Sequence, residues 1–344
     1  MGRVKFLQPV RRLPWPFLLL IFAMASTASC AGTTSTPVTP SIPAFEPAPT
    51  AKKVARENRW GIYSLDLASS DTALLYSSPE KISNLNLNKA GDTLVFSRRL
   101  KADSDSSEEI FGFRIADGRL DRLTDNDFRD IYPVWSPDGK RIAFLSWRER
   151  DLDIHVMDAG GQEQKKLFDS GSHDADIDWS GEKIAFTSRS RVWTINDDGT
   201  GLTQVTEPPR AGVWGKANLP FGDYDPRFSP DGREIAFERL ESDTSTHGCY
   251  NIYLSETTGS SEKSLTNTGY SQGMVSWSHS GWKMVFTVAA IGSEGRYDIY
   301  TMNPDGADIT NVTPDYFPPD FLCHTPVFSA DDDSLFFIGE WWEQ

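Results

Sequence analysis

From Trp60 onward the chain alternates apolar and polar positions in short runs, broken by clusters of Gly, Pro, Asn, Asp and Ser. A period of two over four to seven residues predicts strands, and no later stretch carries a sustained helical period. The runs recur in a fixed order. An aromatic-Ser-Pro-Asp-Gly turn stands in full at Trp135–Gly139 and Phe228–Gly232, and in altered form at Trp179, Trp277, Phe328 and, most weakly, Leu87. These anchors lie 44 to 51 residues apart. After each comes a compact apolar run such as Ile142-Ala143-Phe144 or Ile235-Ala236-Phe237, then an alternating run such as Asp298-Ile299-Tyr300-Thr301-Met302. Last is a short run ending in Thr, as at Leu123-Thr124, Val205-Thr206, Leu265-Thr266 and Val312-Thr313.

Four strands per unit at this spacing predict the blades of a propeller. Six anchors predict six blades. After Phe328 only one further strand precedes Gln344, whereas Trp60–Leu65 and Leu74-Tyr76 match the third and fourth strands of a unit. The fold expected is therefore all-β, a six-bladed β-propeller of four antiparallel strands per blade over residues 58–344, with N-terminal strands completing the C-terminal blade. These residues resemble the TolB-like propellers, which share the Pro-Asp-Gly turn and the Asp-Ile-Tyr strand. The small α/β domain that precedes the propeller in TolB itself has no counterpart here. The resemblance implies a binding or assembly role in the cell envelope, with an envelope protein or glycan as partner.

The first residues change the picture. Arg3, Lys5, Arg11 and Arg12 precede an apolar run over 16–25, too short to span a bilayer comfortably. Thr27-Ala28-Ser29-Cys30 resembles the lipobox of bacterial lipoproteins, with Thr27 where Leu is usual. That resemblance implies a signal peptide over 1–29, lipidation of Cys30 and a membrane anchor at the cell envelope. The Pro-, Thr- and Ser-rich stretch over 30–57 reads as an extended tether. Of the three cysteines, Cys249 and Cys323 remain as a candidate disulfide, with two buried thiols as the alternative.

A net charge of −15 argues against nucleic acid, whose phosphates demand a basic surface. In a propeller the connections between strands one and two, and three and four, lie on one face. Here those are short, while the connections on the opposite face are long, and that face is the expected binding surface. Its aromatic residues Trp214, Phe221, Tyr224, Tyr316, Phe317 and Phe321 are candidates for partner contact, or else plugs between blades. The acidic, Ser-rich run over 103–109 reads as a solvated loop.

Catalytic motifs mostly fail. Gly269–Gly273 matches a nucleophile elbow in letters, but no helix follows. Asp174, Asp176 and Asp178 begin like a calcium loop that lacks its Gly and Glu. No cofactor is expected in the leading reading. The rival rests on His173, His247 and His324, which map to the long-loop face and could hold a divalent metal if they converged. Oligogalacturonate lyases are similar propellers with a metal held by histidines at the pore, so the resemblance implies a metal-dependent polysaccharide lyase as the enzymatic alternative.

Overall fold

The computed structural model describes residues 52–101, 107–243, 248–289 and 296–341. The signal segment, Cys30, most of the tether and His247 lie outside the described residues. Among those described there are 24 strands and no helix, arranged as six four-stranded sheets.

The chain opens with β1 (Trp60–Asp66) and β2 (Thr72–Ser78). Blade 1 follows as β3 (Ile82–Leu87), β4 (Thr93–Arg99), β5 (Glu108–Arg114) and β6 (Arg119–Arg122). Blade 2 is β7 (Asp130–Trp135), β8 (Arg141–Ser146), β9 (Asp153–Asp158) and β10 (Lys165–Phe168). Blade 3 is β11 (Asp174–Ser180), β12 (Lys183–Ser188), β13 (Arg191–Asn196) and β14 (Thr203–Gln204). Blade 4 is β15 (Gly222–Phe228), β16 (Glu234–Ser242), β17 (Cys249–Glu256) and β18 (Lys263–Ser264). Blade 5 is β19 (Ser271–Trp277), β20 (Met284–Ala289), β21 (Tyr297–Met302) and β22 (Thr310–Asn311). Blade 6 joins β23 (Phe321–Phe328) and β24 (Ser334–Trp341) to the first two strands in the order β2-β1-β24-β23. β1 runs antiparallel to β24 from Trp60 opposite Glu340 to Asp66 opposite Ser334, which closes the ring.

The anchor turn is held by its serine. Ser136 Oγ accepts from Arg141 N at 2.9 Å and donates to Asp138 Oδ1 at 2.7 Å, while Gly139 N donates to Ser136 O at 2.9 Å. The same bonds recur at Ser229 with Asp231 and at Ser329 with Asp331. Asp supplies the acceptor for the turn, and Gly139 takes the positive φ of +69° that the turn requires.

The threonine that follows the fourth strand in four of the blades also has a clear use. The ladders of β6, β14, β18 and β22 stop short of it, leaving a third-strand N–H with no backbone partner. Thr124, Thr206, Thr266 and Thr313 supply Oγ1 instead, to Ile110, Val192, Ile252 and Ile299 at 2.7–3.0 Å.

The core is divided among the seams. Six apolar clusters each draw side chains from two neighbouring blades. Between blades 3 and 4, for example, Ala185, Val192 and Val205 meet Phe228, Ile235 and Phe237. The packed chain begins before residue 58: Val54 is buried in the blade 6 cluster, and Ala55 O accepts from Tyr63 Oη at 2.8 Å.

Candidate binding face and central channel

The innermost strand of every blade carries one bulge, and at each bulge a non-glycine residue adopts positive φ. These residues are Asn84, Tyr132, Asp176, Asp225, Met274 and Thr325, with φ between +43° and +58°. An L-residue rarely takes this conformation, and at four of the six the neighbouring blade holds it. Tyr132 N donates to Ser97 Oγ at 3.0 Å, Asp225 N to Asp176 Oδ2 at 3.4 Å, Thr325 N to Met274 Sδ at 3.2 Å, and Met274 N to Glu238 Oε1. Each bond crosses a seam, so four of the six seams are stitched at the bulges.

Blades 2 to 4 fill this ring with ionisable groups. Arg227 Nη2 lies 2.7 Å from Asp225 Oδ1, and Tyr132 Oη donates to the same oxygen at 3.3 Å. Burial pushes Asp176 up to about 6, with Asp225 adding to the rise. Burial also raises Asp178, and raises Glu238 well above the usual carboxyl range. Arg227 stands among these four acids, and burial favours a retained proton on Asp176 and Glu238. β16 continues through Glu238 to Ser242, and Glu238 is fully buried.

The aromatic candidates separate into two kinds. Trp214 is 55% exposed. Phe221 and Tyr224 are buried with Leu219, Leu240 and Tyr250, and the Tyr224 hydroxyl lies 3.2 Å from Ser190 Oγ. Phe317 and Phe321 are buried in the blade 6 cluster, and Tyr316 packs partly against it while donating to Ser70 O at 2.8 Å. These five rings therefore plug the scaffold and are withdrawn as partner contacts. In their place the long-loop face offers Phe128 and Tyr270, each 40% exposed and each on a connection that enters an inner strand. Their sequence signal is a single aromatic in an otherwise polar link.

His173 and His324 do not meet. His173 opens blade 3, where its Nδ1 accepts from Leu152 N at 3.1 Å, its ring stands edge-on to Trp147, and burial lowers its pKa. His324 is in blade 6, with Nε2 at 3.3 Å from Glu340 Oε2. Blades 3 and 6 face one another across the ring, so these two residues share no metal position. Among the described residues, Glu149, Asp153 and Asp169 converge closely enough to hold a cation. Lys166 Nζ already stands there, at 3.1, 3.3 and 3.1 Å from the three carboxylates.

Two further expectations are corrected. Cys323 is a free buried thiol on β23, and blade 5 separates it from Cys249 on β17, so the two do not pair. Glu108 and Glu109, read as part of a solvated loop, open β5 and are buried. Glu108 accepts from Arg129 Nε at 2.5 Å. Ser271 of the apparent nucleophile elbow lies in β19, where its Oγ accepts from Tyr250 N at 3.3 Å.

No protein-family model matches the chain. Among curated proteins, it is 26% identical over 136 residues to an uncharacterized protein of Agrobacterium fabrum, covering 38% of this chain and 43% of that one. It is 28% identical over 135 residues to a TolB homolog of Chlorobium luteolum, covering 38% of this chain and 28% of that one. The matches thus span well under half of these relatives. Among solved structures, a propeller of Agrobacterium tumefaciens provisionally named TolB superposes with a TM-score of 0.63 at 18% identity, over 83% of this chain and 99% of the other. TolB of Acinetobacter baumannii gives 0.56 at 17% identity, over 73% and 63%. An oligogalacturonate lyase in complex with manganese gives 0.51 at 14%, over 83% of each chain.

Proposed function

Taking as premise that this is a TolB-like six-bladed propeller, we propose that it is a non-catalytic binding lipoprotein of the bacterial envelope. Cys30 carries the lipid, and the long-loop face is presented to an envelope protein segment or glycan. A role beside a Tol-Pal-like assembly is the specific form suggested by relatives named TolB. The observation that carries the reading is the division of labour among aromatics. Buried rings fix the scaffold, while Phe128, Trp214 and Tyr270 stand exposed on connections of one face. A lyase built on His173, His247 and His324 draws no support from the placement of His173 and His324 in opposite blades.

The test is photocrosslinking in cells from the full chain. A photoreactive residue at position 128, 214 or 270 should trap an envelope component. The same residue at Trp282, 76% exposed on the short-turn face, should not. Equal trapping from 282, or none from the three, would overturn the choice of face. Cys30→Ser should abolish incorporation of labelled fatty acid, and retention of label would remove the anchor.

A further inference from the structure

Blades 2, 3 and 4 each place an aspartate two residues before the bulge of the inner strand: Asp130, Asp174 and Asp223. In register they stand opposite Ser146, Ser188 and Arg239 of the second strand. All three carboxylates are fully buried. A buried carboxylate needs a counter-charge or a proton, and two of these blades supply the charge from their own chain. Asp223 accepts from Arg239 Nε and Nη2 at 2.6 and 2.9 Å. Asp130 accepts from Ser146 Oγ, and from Asn126 Nδ2 at 2.7 Å. Arg148 completes that group, with Nη2 3.6 Å from Asp130 Oδ2 and Nε donating to Ser146 Oγ at 2.9 Å.

Blade 3 lacks the arginine because it lacks the segment that would carry it. Arg148 stands on the connection 147–152, and β16 runs on past Arg239 to Ser242. In blade 3, β12 ends at Ser188 and β13 begins at Arg191. Only Arg189 and Ser190 join them, both at positive φ, as in a tight two-residue hairpin. Neither answers the acid. Arg189 Nη2 donates to Ser170 O at 3.0 Å, and Ser190 Oγ accepts from Tyr224 Oη at 3.2 Å. Ser188 keeps the place of Ser146, but its hydroxyl lies 3.1 Å from Ser170 Oγ and donates to His173 O at 3.5 Å. The Ser170 hydroxyl in turn donates to Ser172 O at 3.0 Å. Both oxygens of Asp174 are left buried without a hydrogen bond. The connections that flank the position, 147–152, 169–173 and 189–190, all lie among the described residues.

We propose that Asp174 is the carboxylate ligand of a small monovalent cation, sodium, at the long-loop end of the seam between blades 2 and 3, with the Ser170 and Ser188 hydroxyls as further oxygen ligands. The ion takes the part that a guanidinium plays in the two flanking blades. Oxygen donors suit a hard cation, and one carboxylate matches one charge. Calcium would call for about six to eight oxygens, commonly from several carboxylates. Asp174 itself is covered, while Ser170, Ser172 and His173 are partly open to solvent, which gives a bare ion a route that a partner's side chain lacks. The site is distinct from Glu149, Asp153 and Asp169, where Lys166 already stands, and does not rest on the choice of binding face. An ion held by one carboxylate binds weakly, and in dilute buffer the same oxygens are left to a proton.

The experiment compares urea unfolding of the full chain in detergent at pH 8, in sodium, potassium and choline chloride at equal concentration. Choline sets the effect of ionic strength alone. Sodium should raise the urea midpoint above that in choline. At a sodium concentration of about ten times Kd, the ratio of folded to unfolded protein should rise about tenfold. Asp174→Asn should lose the difference between the salts, because its amide is neutral in each. Ser170→Ala keeps the acid and should weaken the response. NMR relaxation of the sodium nucleus gives a reading that involves no unfolding: it should be faster with wild type than with either variant at equal protein concentration. Potassium or choline matching sodium, a sodium response that survives both substitutions, or saturation by calcium at far lower concentration would each overturn the assignment. Crosslinking at positions 128, 214 and 270 plays no part in these measurements, so the two proposals fail separately.

Discussion

Asp174 should make the domain less stable at mildly alkaline pH than at pH 5, and Asp174→Asn should remove that loss. The residue opens β11, is fully buried, and has both carboxylate oxygens outside hydrogen-bonding geometry. The nearby Ser170 and Ser188 hydroxyls, 3.1 Å apart, offset the burial only in part. Burial pushes the group up to about 7 from its ordinary 3.8. The folded state therefore holds the proton more tightly than the unfolded state. The contribution is fully present below the unfolded pKa and is lost as pH rises through the folded one. A rise of about three units corresponds to roughly 4 kcal/mol in all, at ~1.4 kcal/mol per unit. By the same linkage about 2.5 kcal/mol of it falls between pH 5 and 8, and relaxation of the site reduces this to ~1–2 kcal/mol. Urea unfolding of wild type and Asp174→Asn at several pH values gives the difference directly, and repulsion from the large net charge is common to both proteins. The advantage of the variant over wild type should grow by ~1–2 kcal/mol between pH 5 and pH 8. Parallel curves across that range would show that the buried carboxyl is neutralised by something other than a retained proton.

Two further outcomes follow from the scaffold. Thr206→Val leaves Val192 N–H without its 3.0 Å acceptor in a buried ladder end, and should cost about 1–2 kcal/mol in the same urea assay. No loss would mean that the N–H finds another partner. Cys323 is fully buried, and burial pushes its thiol well above the usual range, so alkylation mapped by mass spectrometry should reach it only in denaturant. Rapid labelling in buffer would indicate that blade 6 opens readily.

The blades were legible because two signals act locally. A serine turn and a terminal threonine satisfy backbone groups within a few residues of themselves, so their spacing reports the strand order directly. The exchange of strands in blade 6 was legible for the same reason, as a half-unit at each end. The channel ring was not. Tyr132 has no intrinsic preference for positive φ, and its N–H is held by Ser97 of the blade alongside, as that of Asp225 is by Asp176. The loop aromatics were assigned to the correct face, but sequence does not distinguish a ring that caps a seam, such as Phe321, from one that meets solvent, such as Trp214. The positions of His173 and His324 around the ring depend on blade number, and the two are half a turn apart.

The pairing of β1 with β24 sets a timetable for biogenesis. Trp60 emerges from the ribosome about 280 residues before its partner Glu340, an interval of roughly 14–56 s at ~5–20 residues per second. Through that interval β1 and β2 have no sheet to join, and the seam between blades 6 and 1 stays open. The nascent chain is thereby kept from premature completion, and the ring closes only once β24 has cleared the exit.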